Sequence, residues 1–416
     1  MAGRVDDRAY EGYDAMSVTG DWASGWARSR PRALPPACFD PRAQVHFDDA
    51  WNAWHVYDLP DLRRVVDPDV GAVDVSDWAA DGNPSFAAPW ALDGPAWRDL
   101  RSLIEPPYRA DRVRSLAPDL AAAARRCLGR ALALRPEGLE VVGDFAQPFA
   151  IVAAGLSMGV LETETDVDRL AGWLAETSAA QTAGTFAVPA DAVEYFRTLI
   201  GERTGAPRHG LLDDLIATRT RGGYVGGESL RDWQILGVLW SHIIDSADTL
   251  ATQLGTTVFA LMVHGMLDEV RGDRSLVPNA VEAALWWNPA FPYVRRRLRV
   301  PATLGGVRVP AGSDVVGWLS AAGRARFAGP FGIHGARLGH IGFGLAPRVC
   351  VGAALSRQAI GAGLNALLDA LPHTARVAAE PRYELVLNNS LRELRLEFRA
   401  IGERHVSAGP SRGDPP

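Results

Sequence analysis

The stretch that most constrains this chain is Gly342-Phe343-Gly344-Leu345-Ala346-Pro347-Arg348-Val349-Cys350-Val351-Gly352. It is a glycine-punctuated loop that ends in a cysteine, and an apolar run from Ala353 to Leu371 follows at once. Leu355, Ile360, Leu364, Leu367, Leu368 and Leu371 recur at helical spacing. Cys350 therefore stands where a loop enters a helix, and the positive end of the helix dipole favours a thiolate there. Gly342, Gly344 and Gly352 let backbone approach something flat and bulky. Arg348, two residues before the cysteine, can reach a carboxylate. Taken alone, the stretch is also compatible with a buried structural cysteine.

A second run narrows the choice. Trp233 to Met262 is apolar on most faces, which predicts a buried helix. Yet His242, Asp245, Ser246 and Thr249 recur at i, i+3, i+4 and i+7, a single polar stripe, with Asp248 beside it. Unpaired carboxylates are costly inside a core, so the stripe points to a site.

The rest of the chain sets the frame. Its 416 residues carry no linker, charge block or repeat, which predicts a single large domain over 41–402, a surface segment over 1–40 and a disordered tail over 403–416. An apolar fraction of 47% suits a soluble protein with a sizeable core. A net charge of −6 gives no sign of nucleic-acid binding. The chain contains no lysine; histidine aside, every basic residue is arginine. Three cysteines, Cys38, Cys127 and Cys350, argue against a disulfide framework and for a reducing cytoplasm. The N-terminus lacks the apolar core of a signal peptide, and no run reads as a membrane span, so a cytoplasmic protein without a membrane partner is expected.

Taken in order, residues 51–57 read as a strand and Leu59 to Val66 as a short helix. Residues 74–92 are loop-like and carry Trp78, Phe86 and Trp90. Asp93-Gly94-Pro95 starts a helix on which Trp97 and Arg101 share a face. Pro278 to Pro289 is a further helix, Gly305 to Gly312 a hairpin, and Leu387 to Phe398 a closing hairpin.

The cysteine loop resembles that of the cytochrome P-450 family, Phe-Gly-x-Gly-x-His/Arg-x-Cys-x-Gly, through Phe343, Gly344, Arg348, Cys350 and Gly352, with Ala346 where glycine is usual. Asp248-Thr249 is similar to the acid–alcohol pair of that family's distal helix. The resemblance implies a mainly α fold with a small β-rich part, in which haem b (iron protoporphyrin IX) lies between two long helices. It implies Cys350 as the axial thiolate, Trp97, Arg101, Arg296 and Arg348 as holders of the haem, and Asp248 and Thr249 as the proton relay. Phe86, Trp90, His242, Asp245, Phe291, Tyr293 and Asn388 fall where substrate is met. The partners implied are a small-molecule substrate, a ferredoxin and a ferredoxin reductase, with Arg109 and Arg357 as candidate docking arginines.

One departure from the family is plain. Its Glu-x-x-Arg motif, which joins a later arginine in a buried ion network, falls here on Ala283 and Trp286, with Gly335 in place of the later arginine. Glu282 stands one position early, and Leu285 gives it no partner. Such a network can be exchanged wholesale for packed apolar groups, which predicts a refitted fold. The implied function is oxidative tailoring of a bacterial specialised metabolite, by hydroxylation or oxidative coupling. The alternatives are a non-catalytic helper with the same fold, and a peroxide-driven or non-oxygenating haem enzyme.

Overall fold

The long apolar run forms one helix, Asp232–Val263, and packing rather than propensity explains its length. Leu250, Leu254, Val258, Phe259 and Leu261 are buried, so apolar neighbours surround it on several sides. The computed structural model describes residues 36–40, 42–49, 51–73, 89, 92–160, 164–182, 188–205, 210–220, 224–225, 228–327, 329–335, 339–385 and 388–398. Its α-helices in chain order are α1 Leu59–Val66, α2 Gly94–Ile104, α3 Ala110–Ser115, α4 Ala117–Leu134, α5 Gln147–Met158, α6 Glu164–Thr182, α7 Ala190–Gly205, α8 Leu211–Thr220, α9 Asp232–Val263, α10 Leu267–Gly272, α11 Val277–Trp287, α12 Leu319–Ala325 and α13 Ala353–Ala370. The fold is mainly helical, as expected.

Helix α9 is the axis of the core, with α5, α11 and α13 packed against it. The apolar spacing read from Leu355 onward puts Leu355, Ile360, Leu364, Leu367 and Leu368 of α13 in that core. Gly363 faces Leu254, and a Cβ there would lie 2.6 Å from Leu254 Cδ2, so glycine lets the helices meet without displacing that side chain. Helix α1 matches its expected limits. Asp58 caps it by accepting the Asp61 N–H at 2.8 Å, and Pro60 fills the first turn.

The small β-rich part is a five-stranded sheet ordered His46–Asp48, Ala53–Val56, Asp314–Trp318, Tyr293–Leu298 and Gly71–Ala72. Ala53–Val56 runs parallel to Asp314–Trp318, and the other pairings are antiparallel. The expected hairpin joins Ala302–Leu304 to Val307–Val309 through Gly305 and Gly306, both at positive φ, 52° and 82°.

Two expectations are corrected here, and a third is kept. The end of the supposed surface segment is core: Cys38 and Phe39 are buried beside Trp51, Tyr293 and Trp318. Residues 1–35 and 399–416, including the tail, lie outside the described residues. The closing hairpin is split between two sheets, because Asn389–Glu393 pairs with Arg382–Leu385 while Arg395–Phe398 pairs with Ala375–Val377 and Gly138–Glu140. Finally, Val141–Met158 is long and apolar enough to span a membrane, but 67% of it is buried within the protein. It meets that test as a core helix.

Candidate active site

The cysteine loop is fixed by its own backbone before any side chain is considered. Gly344 N–H donates to Ile341 O at 2.9 Å, Arg348 N–H to Leu345 O at 2.8 Å, and Cys350 N–H to Phe343 O at 2.9 Å. A Cβ at Gly342 would lie 2.8 Å from Leu285 O, so the loop presses on the backbone of α11. Helix α13 begins three residues after Cys350, and no side chain caps its first turn.

Cys350 and Asp245 of α9 are ringed by protein, yet both are exposed by their accessible surface. Both conditions hold together where a group lines an internal space. Burial pushes the Cys350 thiol up, and the Asp245 charge adds to this. The Gly352 N–H, Arg101 and Arg357 pull it back down, without offsetting burial. The helix dipole alone therefore does not make a free thiolate here, whereas a bound metal cation deprotonates a coordinating thiol outright.

Beside the cysteine stands a group of guanidiniums. Arg348 Nη2 donates to Asp93 Oδ1 at 2.6 Å and to Leu92 O at 2.8 Å, and its guanidinium lies 4.5 Å over the Trp97 ring. Asp93 is the N-cap of α2 and also accepts Arg299 Nη2 at 2.7 Å. Burial would raise the Asp93 carboxyl, but Arg348 holds it below its ordinary value. Arg101 Nη1 donates to Val349 O at 2.7 Å, next to the cysteine. Strand alternation settles which of three successive arginines turns inward. Arg295 and Arg297 pair with Asp314 at 2.6 and 2.9 Å, while Arg296 is deep and donates to the Arg295 carbonyl. Burial, with the Arg348 charge, pushes Arg296 down to about 10. Trp97, Arg296 and Arg348 are thus brought together, and Arg101 reaches the carbonyl next to the cysteine.

Across the space, Thr249 Oγ1 donates to the Asp245 carbonyl within α9. Asp248 accepts Asn388 Nδ2 at 2.8 Å, Arg392 Nη1 at 3.1 Å and Ser390 Oγ. Burial raises the Asp245 carboxyl to about 7. His242 stacks on Tyr108 at 5.5 Å and its Nδ1 meets Val238 O at 2.7 Å. Burial lowers it to about 4, and its Nε2 has no partner among the described residues.

Some expected site residues are placed elsewhere. Tyr293 is a core residue, with ring centroids 5.4 Å from both Trp51 and Trp318, so it does not serve as a substrate contact. Asn388 is buried, and its amide is spent on Asp248. Phe291 stays exposed. Phe86 and Trp90 lie outside the described residues. Arg109 is exposed, but Arg357 is not a free docking cation: its Nε and Nη2 donate to Glu282 at 2.5 and 3.1 Å. Glu282 is therefore not stranded. The expected loss of the ion network is corrected to a different wiring, because His340 Nε2 also meets Glu282 at 3.0 Å. The signal was present as a lone carboxylate in the apolar Val277–Trp287 helix, which burial obliges to pair.

A second constellation, His46, Asp48 and His55, converges on one face of the His46–Asp48/Ala53–Val56 ribbon. Trp318 Nε1–H donates to His55 Nδ1 at 3.1 Å, and burial lowers His55 to about 4. The neutral ring then carries its proton on Nε2 and offers no lone pair there to a cation.

A loop cysteine facing a long helix, with guanidiniums gathered at its flank, is an arrangement that suits a haem-thiolate site. Comparison with known proteins agrees. The chain is 29% identical over 298 residues to cytochrome P450 107B1 of Saccharopolyspora erythraea, covering 70% of this chain and 71% of that one. It is 27% identical over 296 residues to cyclomarin C epoxidase CymV of Salinispora arenicola, covering 67% and 72%. The structure of HmtN, a post-tailoring hydroxylase of himastatin biosynthesis, superposes with a TM-score of 0.74 at 25% identity, covering 86% of this chain and 94% of that one. No family model matches the chain. In sequence and in fold the chain is similar to cytochrome P450s, a class of haem-thiolate monooxygenases.

Proposed function

We propose that this monooxygenase tailors a small-molecule specialised metabolite, by hydroxylation or by oxidative coupling, with haem b held by Cys350. The observation that carries the reading is Cys350 placed deep in the fold opposite Asp245, on the α9 turn that Thr249 closes. The named relatives include an epoxidase and a post-tailoring hydroxylase, which supports the reaction class. Haem, when bound through a thiolate, supplies dioxygen binding and the electron push that favours O–O cleavage.

The residues present fit that group. Cys350 offers a sulfur ligand, and Arg296 is a deep cation whose nearest charges are Arg348 and Asp93, a setting that favours one more carboxylate. Arg296, Arg348 and Arg101 would hold the propionates, with Trp97 stacked on Arg348 to fix its plane. On the distal side, Thr249 holds a proton at Oγ1, and Asp248 is the carboxylate next to it. Asn388, Ser390 and Arg392 fix the orientation of Asp248. Asp245 keeps its proton below about pH 7 and faces the same space, so it offers a hydrogen-bond donor to substrate when protonated and a charge to a basic group above that pH. Phe291, exposed, is free to meet an entering substrate. A ferredoxin and its reductase deliver electrons, with Arg109 in the docking face, and a count of three cysteines fits a cytoplasmic setting.

The test is spectroscopic. The purified protein, reduced under carbon monoxide, should give the band near the wavelength in the family's name, and Cys350→Ser should abolish it while leaving the fold intact. A colourless protein that refuses hemin would overturn the reading.

A further inference from the structure

Helix α11 carries one carboxylate into the core, and that carboxylate is gripped from both flanks of the cysteine loop. His340, before the loop, donates Nε2–H to Glu282 Oε2 at 3.0 Å. Arg357, in α13 after the loop, donates Nε to Oε1 at 2.5 Å and Nη2 to Oε2 at 3.1 Å. The imidazole is oriented as well, because the Gly342 N–H donates to its Nδ1 at 3.0 Å. Nδ1 is then an acceptor and Nε2 carries the proton, so His340 serves as a neutral strut. The charges close on themselves, with one carboxylate against one guanidinium.

The grip extends to the ligand. Arg357 lies 4.6 Å over the Phe343 ring, and the His340 ring centroid is 5.9 Å from the same ring. The carbonyl of Phe343 accepts the Cys350 N–H at 2.9 Å. Gly342, between them, sits on the Leu285 carbonyl of the helix that bears Glu282. The hydrogen bonds to the carboxylate outweigh burial, and Glu282 is held down at about 2, so it stays ionised and accepting throughout the working pH range.

We propose that Glu282, His340 and Arg357 form a clamp that sets where Cys350 stands, with Glu282 as a positioning residue. The inference rests on the haem-thiolate reading of Cys350. It assigns the work of an ion network to residues 58 and 75 positions away from Glu282 in sequence. Outer partners that orient a ligand are typically worth about 10- to 100-fold in metal affinity.

The experiment compares the holoprotein with Glu282→Gln, Arg357→Ala and Arg357→Lys. The readouts are the rate of haem loss to an excess of a haem acceptor, the share of the reduced carbonyl spectrum in the thiolate band, and melting temperature. Glu282→Gln and Arg357→Ala should lose haem about tenfold faster or more and surrender much of the thiolate band, with little change in melting. Arg357→Lys keeps the charge without the fork and should fall between Arg357→Ala and the unmutated protein. Arg357 is 43% exposed in its side chain, so its variants stay informative if Glu282→Gln does not fold. Haem loss within about twofold of the parent and an intact band in Arg357→Ala would overturn the clamp alone. No thiolate band in the unmutated protein would overturn the haem-thiolate reading, and the clamp with it.

Discussion

On the Cys350 side, polar groups other than Arg296 are closed into pairs: Glu282 accepts from His340 and Arg357, Asp93 from Arg348 and Arg299, and the Val349 carbonyl from Arg101. On the α9 side they are left open. Asp245 is held near pH 7 by burial with no cation to lower it, and His242 keeps a buried ring nitrogen without a partner among the described residues. The same core serves two ends. Paired groups hold a position, and a buried carboxylate without a counter-ion retains a proton that it can give up near neutral pH. Asp248 lies between these limits, adjacent to Thr249 yet anchored by three side chains of the Asn388–Arg392 segment.

The comparison can be broken at several points. The largest effect is expected from Thr249→Ala. If the α9 side moves protons, product formation should fall by ~100-fold, the lower range for a lost proton-transfer group, while electron consumption continues. Tight coupling of electrons to product in that variant would remove Thr249 from the relay. Next comes a contrast within one strand. Arg296→Gln should release haem about tenfold faster, whereas Arg295→Ala, on the outward face, should leave haem binding unchanged and stability within about 0.5 kcal/mol. Equal effects in the two variants would contradict the inward turn of Arg296.

Arg392→Ala should cost about 1 kcal/mol in denaturant unfolding, because a half-buried ion pair is lost while Asn388 and Ser390 still hold Asp248. The smallest effect concerns pH. The folded carboxyl of Asp245 is raised from its ordinary 3.8 to about 7, so the folded state binds the proton more tightly than the unfolded state. Stability from this group is complete below about pH 4 and is lost as pH rises toward 7. Asp245→Asn should flatten that part of the melting-temperature profile, between about pH 4 and 7. An unchanged slope would show that Asp245 is solvated.

How much of this was legible in the sequence follows from the distance between partners. The cysteine loop, the helix after it and the polar stripe on α9 are local patterns, and local spacing reported them. The ends of α1 were equally clear, since Asp58 and Pro60 mark its start within one turn. What sequence spacing did not show are pairings between remote segments. Glu282 was visible as an odd carboxylate in an apolar helix, but its partners were sought three residues away on the same helix. They come instead from the far side of the Cys350 loop. Asp248 and Asn388 are 140 residues apart, and no period links them. Tyr293 was assigned to substrate by its place in the chain, whereas its strand turns it into the Trp51 and Trp318 aromatic core. A charged residue in an apolar helix announces that a partner exists without announcing where.

The contact of Gly363 with Leu254 carries one more consequence. The helix that follows the cysteine and the helix that bears the threonine touch where a side chain is absent, and a methyl there would lie 2.6 Å from Leu254 Cδ2, well inside ordinary carbon–carbon separation. That absent methyl acts as a spacer of zero thickness. The distance from sulfur to hydroxyl therefore depends in part on a contact roughly one to four turns away, at a position that touches neither.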